Sequence, residues 1–182
     1  MNAWGHILGL DISTSIIGYT VLEFDGEILE IGSWDLRNKK LYPDLFSKAI
    51  NIKEELIKLN KRFLINNIFI ETSLNMFMSG KSSANILSML AKFNGIVSWI
   101  AYECFETSPR FIAAASARKK CGITIKRGTK AKEQVMAFLL DNEPDFKIQY
   151  TRTGKPKPHC YDEADSLIIA RAGLECLKER LK

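Results

Sequence analysis

Short apolar runs broken by turn residues fill the first third of the chain, and apolar positions at helical spacing dominate the rest. The run at 7–12, Ile-Leu-Gly-Leu-Asp-Ile, has the make-up of a central strand covered on both faces. Ser13-Thr14-Ser15 turns the chain into a second strand over 16–24, with Gly18 inside it. Asp25-Gly26 is a two-residue turn of the type that matches strand twist, and 27–34 returns as a third strand. These three strands form a meander. Leu45, Ala49, Ile52, Leu56 and Leu59 recur at near-helical spacing and predict a helix over 44–63. A short strand over 65–71 ends on Glu71.

Residues 72–81 read as a loop containing Phe77, Met78 and Gly80. A second helix follows over 82–103, with Ile86, Leu90, Phe93 and Val97 on one face. The pattern predicts a fifth strand over 104–107 and a helical turn opened by Ser108-Pro109, since proline suits the first helical position. A basic, irregular stretch comes next, and Thr129 is placed to cap a helix over 130–140 with Val135 and Leu139 inward. Residues 141–159 form a loop rich in Pro, Gly and Lys, and a last helix runs over 161–181. Three antiparallel strands followed by alternating helices and strands predict a mixed sheet with helices on its faces.

One residue does not fit this pattern. Asp is depleted in strands and costly to bury unpaired, yet Asp11 lies inside the first apolar run. Glu71 ends the fourth strand, and Asp162 and Asp165, three residues apart, share one face of the last helix. Carboxylates brought together repel unless a cation joins them. Mg²⁺ takes oxygen ligands, commonly a few carboxylates plus water and phosphate oxygens. Two such ions about 4 Å apart activate a water and stabilise the leaving oxygen in phosphodiester cleavage. Each acid also has a plainer reading. Asp162 and Asp165 suit the positive end of a helix, at roughly 0.3–1 kcal/mol each, and Glu71 suits a solvated strand end. A metal site requires the first and fourth strands to be neighbours.

Composition narrows the field little. The 182 residues suit one domain spanning 1–182, and a net charge of +5 permits a polyanionic partner without demanding one. The four cysteines, Cys104, Cys121, Cys160 and Cys176, lack metal-type pairing and read as reduced thiols of a cytosol-like compartment. No apolar run reaches a membrane span, and no basic segment followed by an apolar core opens the chain. His6 and His159 are too few and too scattered for a zinc site, and no histidine places Ser13, Thr14 or Ser15 in a triad.

The stretches ILGLDISTSIIGY, IFIETSLNMF and YDEADSLIIARAGLE, in this order and spacing, resemble the acidic motifs of RuvC-type Holliday junction resolvases. These are nucleases of the RNase H-like (retroviral integrase) superfamily. The resemblance spans Ile7 to about Glu175, and Lys155-Pro156-Lys157-Pro158 ahead of Tyr161-Asp162 is closest to divergent, phage-like members. It implies an α/β RNase H-like fold: a five-stranded mixed sheet of order 3-2-1-4-5, strands 1–3 an antiparallel meander, flanked by helices. It implies Mg²⁺ (with Mn²⁺ as a substitute) held by Asp11, Glu71, Asp162 and Asp165, with Lys132 contacting phosphate beside them. It implies DNA contacts from Phe77 as a junction wedge and from Lys81, Arg118, Lys119, Lys120, Arg127, Lys130 and Lys132. A second family lysine falls on Ala113 here, a departure from the family pattern.

The activity implied is that of a crossover junction endodeoxyribonuclease. It acts on four-way and related branched DNA as a homodimer built on the helix around 82–102, without a membrane, in the cytoplasm of a bacterial or phage-infected cell, with an organellar or viral setting as the alternative. Three other readings fit parts of the pattern. One is a nuclease of this fold acting on flaps, forks or RNA–DNA hybrids. Another is an actin-like phosphate-binding ATPase module, whose first phosphate loop also reads as a strand with Asp, Gly/Ser and Thr. The third is a catalytically silent DNA-binding protein.

Overall fold

In the computed structural model, residues 5–72 and 84–181 are described. The meander is present as β1 (His6–Asp11), β2 (Ile16–Leu22) and β3 (Ile28–Asp35). Ser13 Oγ accepts from the Ile16 N–H and donates to its carbonyl, closing the β1–β2 turn. Gly26, with φ at 106°, fills the position in the β2–β3 turn that a side chain would strain. Helix α1 (Leu45–Asn60) starts at an Asp44–Ser47 capping box and buries Ala49, Ile52, Leu56 and Leu59, the stripe its sequence predicts. The remaining elements are β4 (Ile65–Glu71), α2 (Ala84–Phe105), β5 (Arg110–Ile112), α3 (Ala114–Lys120), α4 (Ala131–Asn142) and α5 (His159–Glu179). The sheet order is β3-β2-β1-β4-β5, with β4 and β5 parallel to their inner neighbours. This is the RNase H-like arrangement that the sequence motifs imply.

Several expectations need correction. The fifth strand is not at 104–107: α2 continues through Phe105, which is buried, and the strand forms at Arg110–Ile112. Pro109 therefore precedes a strand and opens no helix. Arg118, Lys119 and Lys120 end a regular helix and are not in an irregular stretch. Thr129 does not cap α4; its hydroxyl donates back to the Lys126 carbonyl. On α2, Phe93 and Val97 are buried, but Ile86 is exposed. Helix α2 is also long and apolar enough, by length and composition, to cross a membrane. Here it packs on α1 and β4 through Phe93, Val97, Ile100 and Ala101.

The sheet separates two cores. Leu8, Leu10, Ile17, Val21, Ile68 and Ile70 face α1 and α2, while Ile7, Leu22 and Phe69 face α5 with α3 and α4 around it. Strand pleating places residues two apart on the same face, so Gly9 and Asp11 of β1 follow Ile7 towards α5, and Glu71 of β4 follows Phe69. Helix α5 lies very close to this face. A Cβ on Gly9 would come within 2.6 Å of the Ser166 carbonyl and 2.7 Å of the Ala170 amide, and one on Gly18 would overlap the Asp162 backbone. Ser166, Ala170 and Gly173, one small stripe along α5, make the approach possible. Thr20 and Ser166 share a buried hydroxyl–hydroxyl bond of 2.8 Å beneath it.

The Gly18→Ala variant is expected to lose roughly 1–3 kcal/mol of stability, read as a Tm several degrees lower in thermal denaturation. A Gly95→Ala control, where a Cβ meets nothing within 4 Å, should leave Tm unchanged or raised. Equal effects at the two positions would rule out the close approach of α5 as the cause.

Candidate active site

Three elements bring the acids together. Asp11 ends β1 opposite Gly18 of β2 in the antiparallel ladder, and the backbone of Asp162 lies over Gly18. On the other side Leu10 pairs with Ile70, so Glu71 emerges one residue further along the neighbouring strand. Asp165 follows Asp162 by one helical turn. The parallel β1–β4 pairing thus meets the condition that a metal site sets. The Asn94 amide donates to the Glu71 carbonyl at 3.4 Å and ties the end of β4 to α2.

Lys132, in the first turn of α4, reaches into this cluster. Its ammonium lies 3.2 Å from Asp165 Oδ2 and 3.6 Å from Asp162 Oδ1. The Asp165 and Asp162 side chains are only 14% and 16% exposed, whereas the lysine side chain is 56% exposed. Among the described residues, Lys132 is the cation ion-paired to these acids. Burial pushes the Asp11 carboxyl well above the usual carboxylate range; the charges of Glu71, Asp165 and Asp162 push the same way and Lys132 opposes them. Glu71 is pushed up to about 7, first by burial and then by Asp165, against Lys132 and Arg118. Burial also raises Asp162, with Lys132 pulling it down. Burial alone would depress Lys132, but Asp165, Asp11 and Asp162 outweigh it and hold the ammonium above its ordinary range.

This donor set is hard, anionic and electron-rich, and fits Mg²⁺ or Mn²⁺ better than a soft ion. Its residual negative charge is what divalent ions would neutralise. The acids do not form a ready-made tight cage: the described group of three His, Cys, Asp or Glu ligand atoms lying within 4.8 Å of one another is a different one, at the start of α5.

The basic residues divide by position. Arg118 is close enough to lower the Glu71 titration. Lys119 is exposed at the end of α3, and Arg127 is exposed in the turn before α4. Lys130 is exposed and paired with Glu133 at 2.9 Å. Lys120 points elsewhere, since its ammonium binds Glu179, 14 residues along α5 from Asp165 and so about 20 Å from the acids. Phe77 and Lys81 lie outside the described residues. Sequence reasoning missed Gly18, which seats Asp162, and the Ser33–Glu163 bond of 2.8 Å, which ties β3 to α5. Only the glycine inside an otherwise apolar strand carries a sequence signal for either.

Without metal, a carboxyl raised in the folded state stays protonated to higher pH than in the unfolded chain. Between the ordinary glutamate range and about 7, where Glu71 titrates, the native state binds more protons and stability falls as pH rises. In chelator, the melting temperature of the wild type is expected to drop relative to Glu71→Gln between pH 5 and pH 8, equivalent to roughly 1–3 kcal/mol. Added Mg²⁺ should recover the loss at pH 8. A wild type that gains on Glu71→Gln with rising pH would overturn the raised carboxyl.

No family model matches the chain, and no curated protein matches it in sequence. Solved structures do match in fold. RuvC of Thermus thermophilus superposes with a TM-score of 0.65 at 15% identity over 96% of each chain, and in complex with a Holliday junction substrate with 0.64 at 13% over 96% of this chain and 95% of that one. The yeast mitochondrial Holliday junction resolvase Ydc2 gives 0.58 at 15% identity, covering 93% of this chain and 77% of its own. The Fowlpox virus resolvase, solved with Holliday junction DNA, gives 0.51 at 14% identity over 97% and 99%. Over most of its length, then, the chain has the fold of RuvC and other Holliday junction resolvases.

Proposed function

We propose that this protein is a divalent-metal-dependent endodeoxyribonuclease that cuts four-way and related branched DNA junctions. The observation that carries the reading is the meeting of Asp11, Glu71, Asp162 and Asp165 around Lys132 at the C-terminal ends of the inner strands β1 and β4. Proteins of the same fold have been solved with Holliday junction DNA bound, which supports the choice of substrate.

Asp11 and Glu71, on adjacent strands, supply the rigid half of the metal site, and Asp162 and Asp165 supply the helical half. The four acids would hold Mg²⁺, or Mn²⁺ in its place, and the ion would supply activation of water and stabilisation of the leaving 3′ oxygen. Lys132 neutralises part of the acidic cluster and offers an ammonium to the phosphate being cut. Arg118 beside Glu71, and the exposed Lys119, Arg127 and Lys130, supply phosphate contacts that position the duplex arms. Phe77 is the wedge at the junction centre and Lys81 its neighbouring phosphate contact.

Symmetric cutting of two strands calls for two active sites. Helix α2 exposes Met89, Trp99 and Tyr102, and a cleft beside it is lined by Gly95, Ser98, Trp99, Tyr102, Pro109 and Phe111. A second copy of the chain covers this face in the proposed homodimer.

Metal-dependent cleavage of a synthetic four-way junction, beside flap, fork, RNA–DNA hybrid and linear controls, tests the function. Junction cleavage should exceed the controls and give religatable nicks. Preference for flaps or hybrid would replace the junction reading with a different nuclease of this fold. Asp11→Asn and Glu71→Gln should each lower cleavage at least about 100-fold while leaving junction binding within a few-fold; undiminished cleavage in both would sink the metal assignment. Arg127→Ala and Lys130→Ala should each flatten the salt dependence of binding by about one unit of slope. Trp99→Glu should convert a dimer to a monomer in sedimentation and uncouple the two cuts.

A further inference from the structure

Against the expectation from sequence spacing that His159 serves no zinc site, we propose a second metal site, for a borderline ion of the zinc class, formed by His159, Cys160 and Glu163 at the start of α5. It uses none of the four acids described above. The ligand atoms of these three residues lie within 4.8 Å of one another. A tetrahedral zinc with bonds of about 2.0–2.3 Å holds its ligands about 3.5 Å apart, so side-chain rotations on the order of 1 Å close the site. Nitrogen, thiolate and carboxylate suit zinc and not magnesium. The charge also balances: one thiolate and one carboxylate neutralise a divalent ion, with His159 neutral and a water left as fourth ligand.

The surroundings of the three residues are those of a prepared site. The backbone N–H of Gln149 points at Cys160 Sγ at 3.3 Å, the kind of donor that stabilises a metal-bound thiolate. The thiol now donates to the Gln149 carbonyl at 3.6 Å. When metal binds, Cys160 releases that proton to solvent, and the carbonyl keeps its 2.8 Å bond from the Lys157 N–H, so no buried acceptor is orphaned. Ser33 donates to Glu163 Oε1 at 2.8 Å and fixes the carboxylate. Asp35, the acid nearest His159 on β3, is committed to the Arg37 guanidinium. Cys160 is buried, and the half-buried His159 and Glu163 form the entry.

The site answers a structural need. Helix α5 begins after Pro158 with no side-chain cap, yet this uncapped turn must hold Asp162 in register. A metal bridging the turn, with Ser33 behind Glu163 and Gln149 behind Cys160, ties it to β3 and to the segment that leads into the helix.

Cobalt(II) titration of the full chain tests the site through the near-ultraviolet thiolate-to-cobalt absorption, which oxygen ligands at the acidic cluster do not produce. The wild type and Asp11→Asn should show the band at one equivalent. Cys160→Ser should lose it, and His159→Ala should need at least tenfold more cobalt. Zinc should raise the melting temperature of the wild type but not of His159→Ala. No band at saturating cobalt, or an undiminished band in Cys160→Ser, overturns the site. Loss of the band in Asp11→Asn would also overturn it by moving the metal to the acids. If Cys160→Ser does not fold, His159→Ala decides: unchanged cobalt affinity there overturns the site. No readout uses DNA, so failure here leaves the nuclease reading untouched, and the reverse.

Discussion

The contact between α5 and the sheet is the constraint on which the rest depends. A helix normally rests on a sheet through large side chains, which hold the backbones well apart. Here Gly9 and Gly18 on the strands, and Ser166, Ala170 and Gly173 on the helix, remove that layer. The helix sinks until backbone meets backbone, and residue 162, four positions before Ser166, comes to lie over the strand residue opposite Asp11. With an ordinary packing distance the two halves of the acidic cluster would stand several ångströms further apart. The close approach shields these carboxyls from solvent, in keeping with burial as the first cause of the raised Asp11, Glu71 and Asp162.

The same constraint divides what the sequence reveals from what it conceals. The meander was legible because its turns are chemically explicit, and α1 because its apolar stripe is regular. Asp11 stood out because an acid in a buried strand has a high cost. The strand order came from the family resemblance, since no periodicity carries information about which strands pair. Residues 104–107 misled because Cys-Phe-Glu-Thr is as good a strand as a helix end; burial of Phe105 against the second core settled it. The small-residue stripe of α5 was invisible for a different reason. Ser, Ala and Gly there read as weak helix filler, and their value lies in what they fail to occupy.

Charge tells a similar story. Arg118, Lys119 and Lys120 are adjacent in sequence, but a helix sends them in different directions. Arg118 acts on Glu71, while Lys120 closes a bridge to the far end of α5. A basic run in the sequence is therefore not a basic surface in the fold. Lys132 differs from all three, because it draws on two acids at once and is the one cation ion-paired to this cluster among the described residues.

The first two turns of α5 carry two chemically distinct sets of side chains. At about 100° per residue, Asp162 and Asp165 fall on the arc facing β1 and β4. His159, Cys160 and Glu163 fall on the neighbouring arc, where Ser33 of β3 and the backbone of Gln149 meet them. The two arcs are chemically distinct: one offers only carboxylates, the other nitrogen, sulfur and a single oxygen. Hard ions and borderline ions would therefore sort themselves between them without competing. Since the arcs share a backbone, an ion bound at the second would restrain the ligands of the first. Rigidity of this turn then rests on side-chain chemistry from three directions, which a helix start with no cap of its own cannot supply.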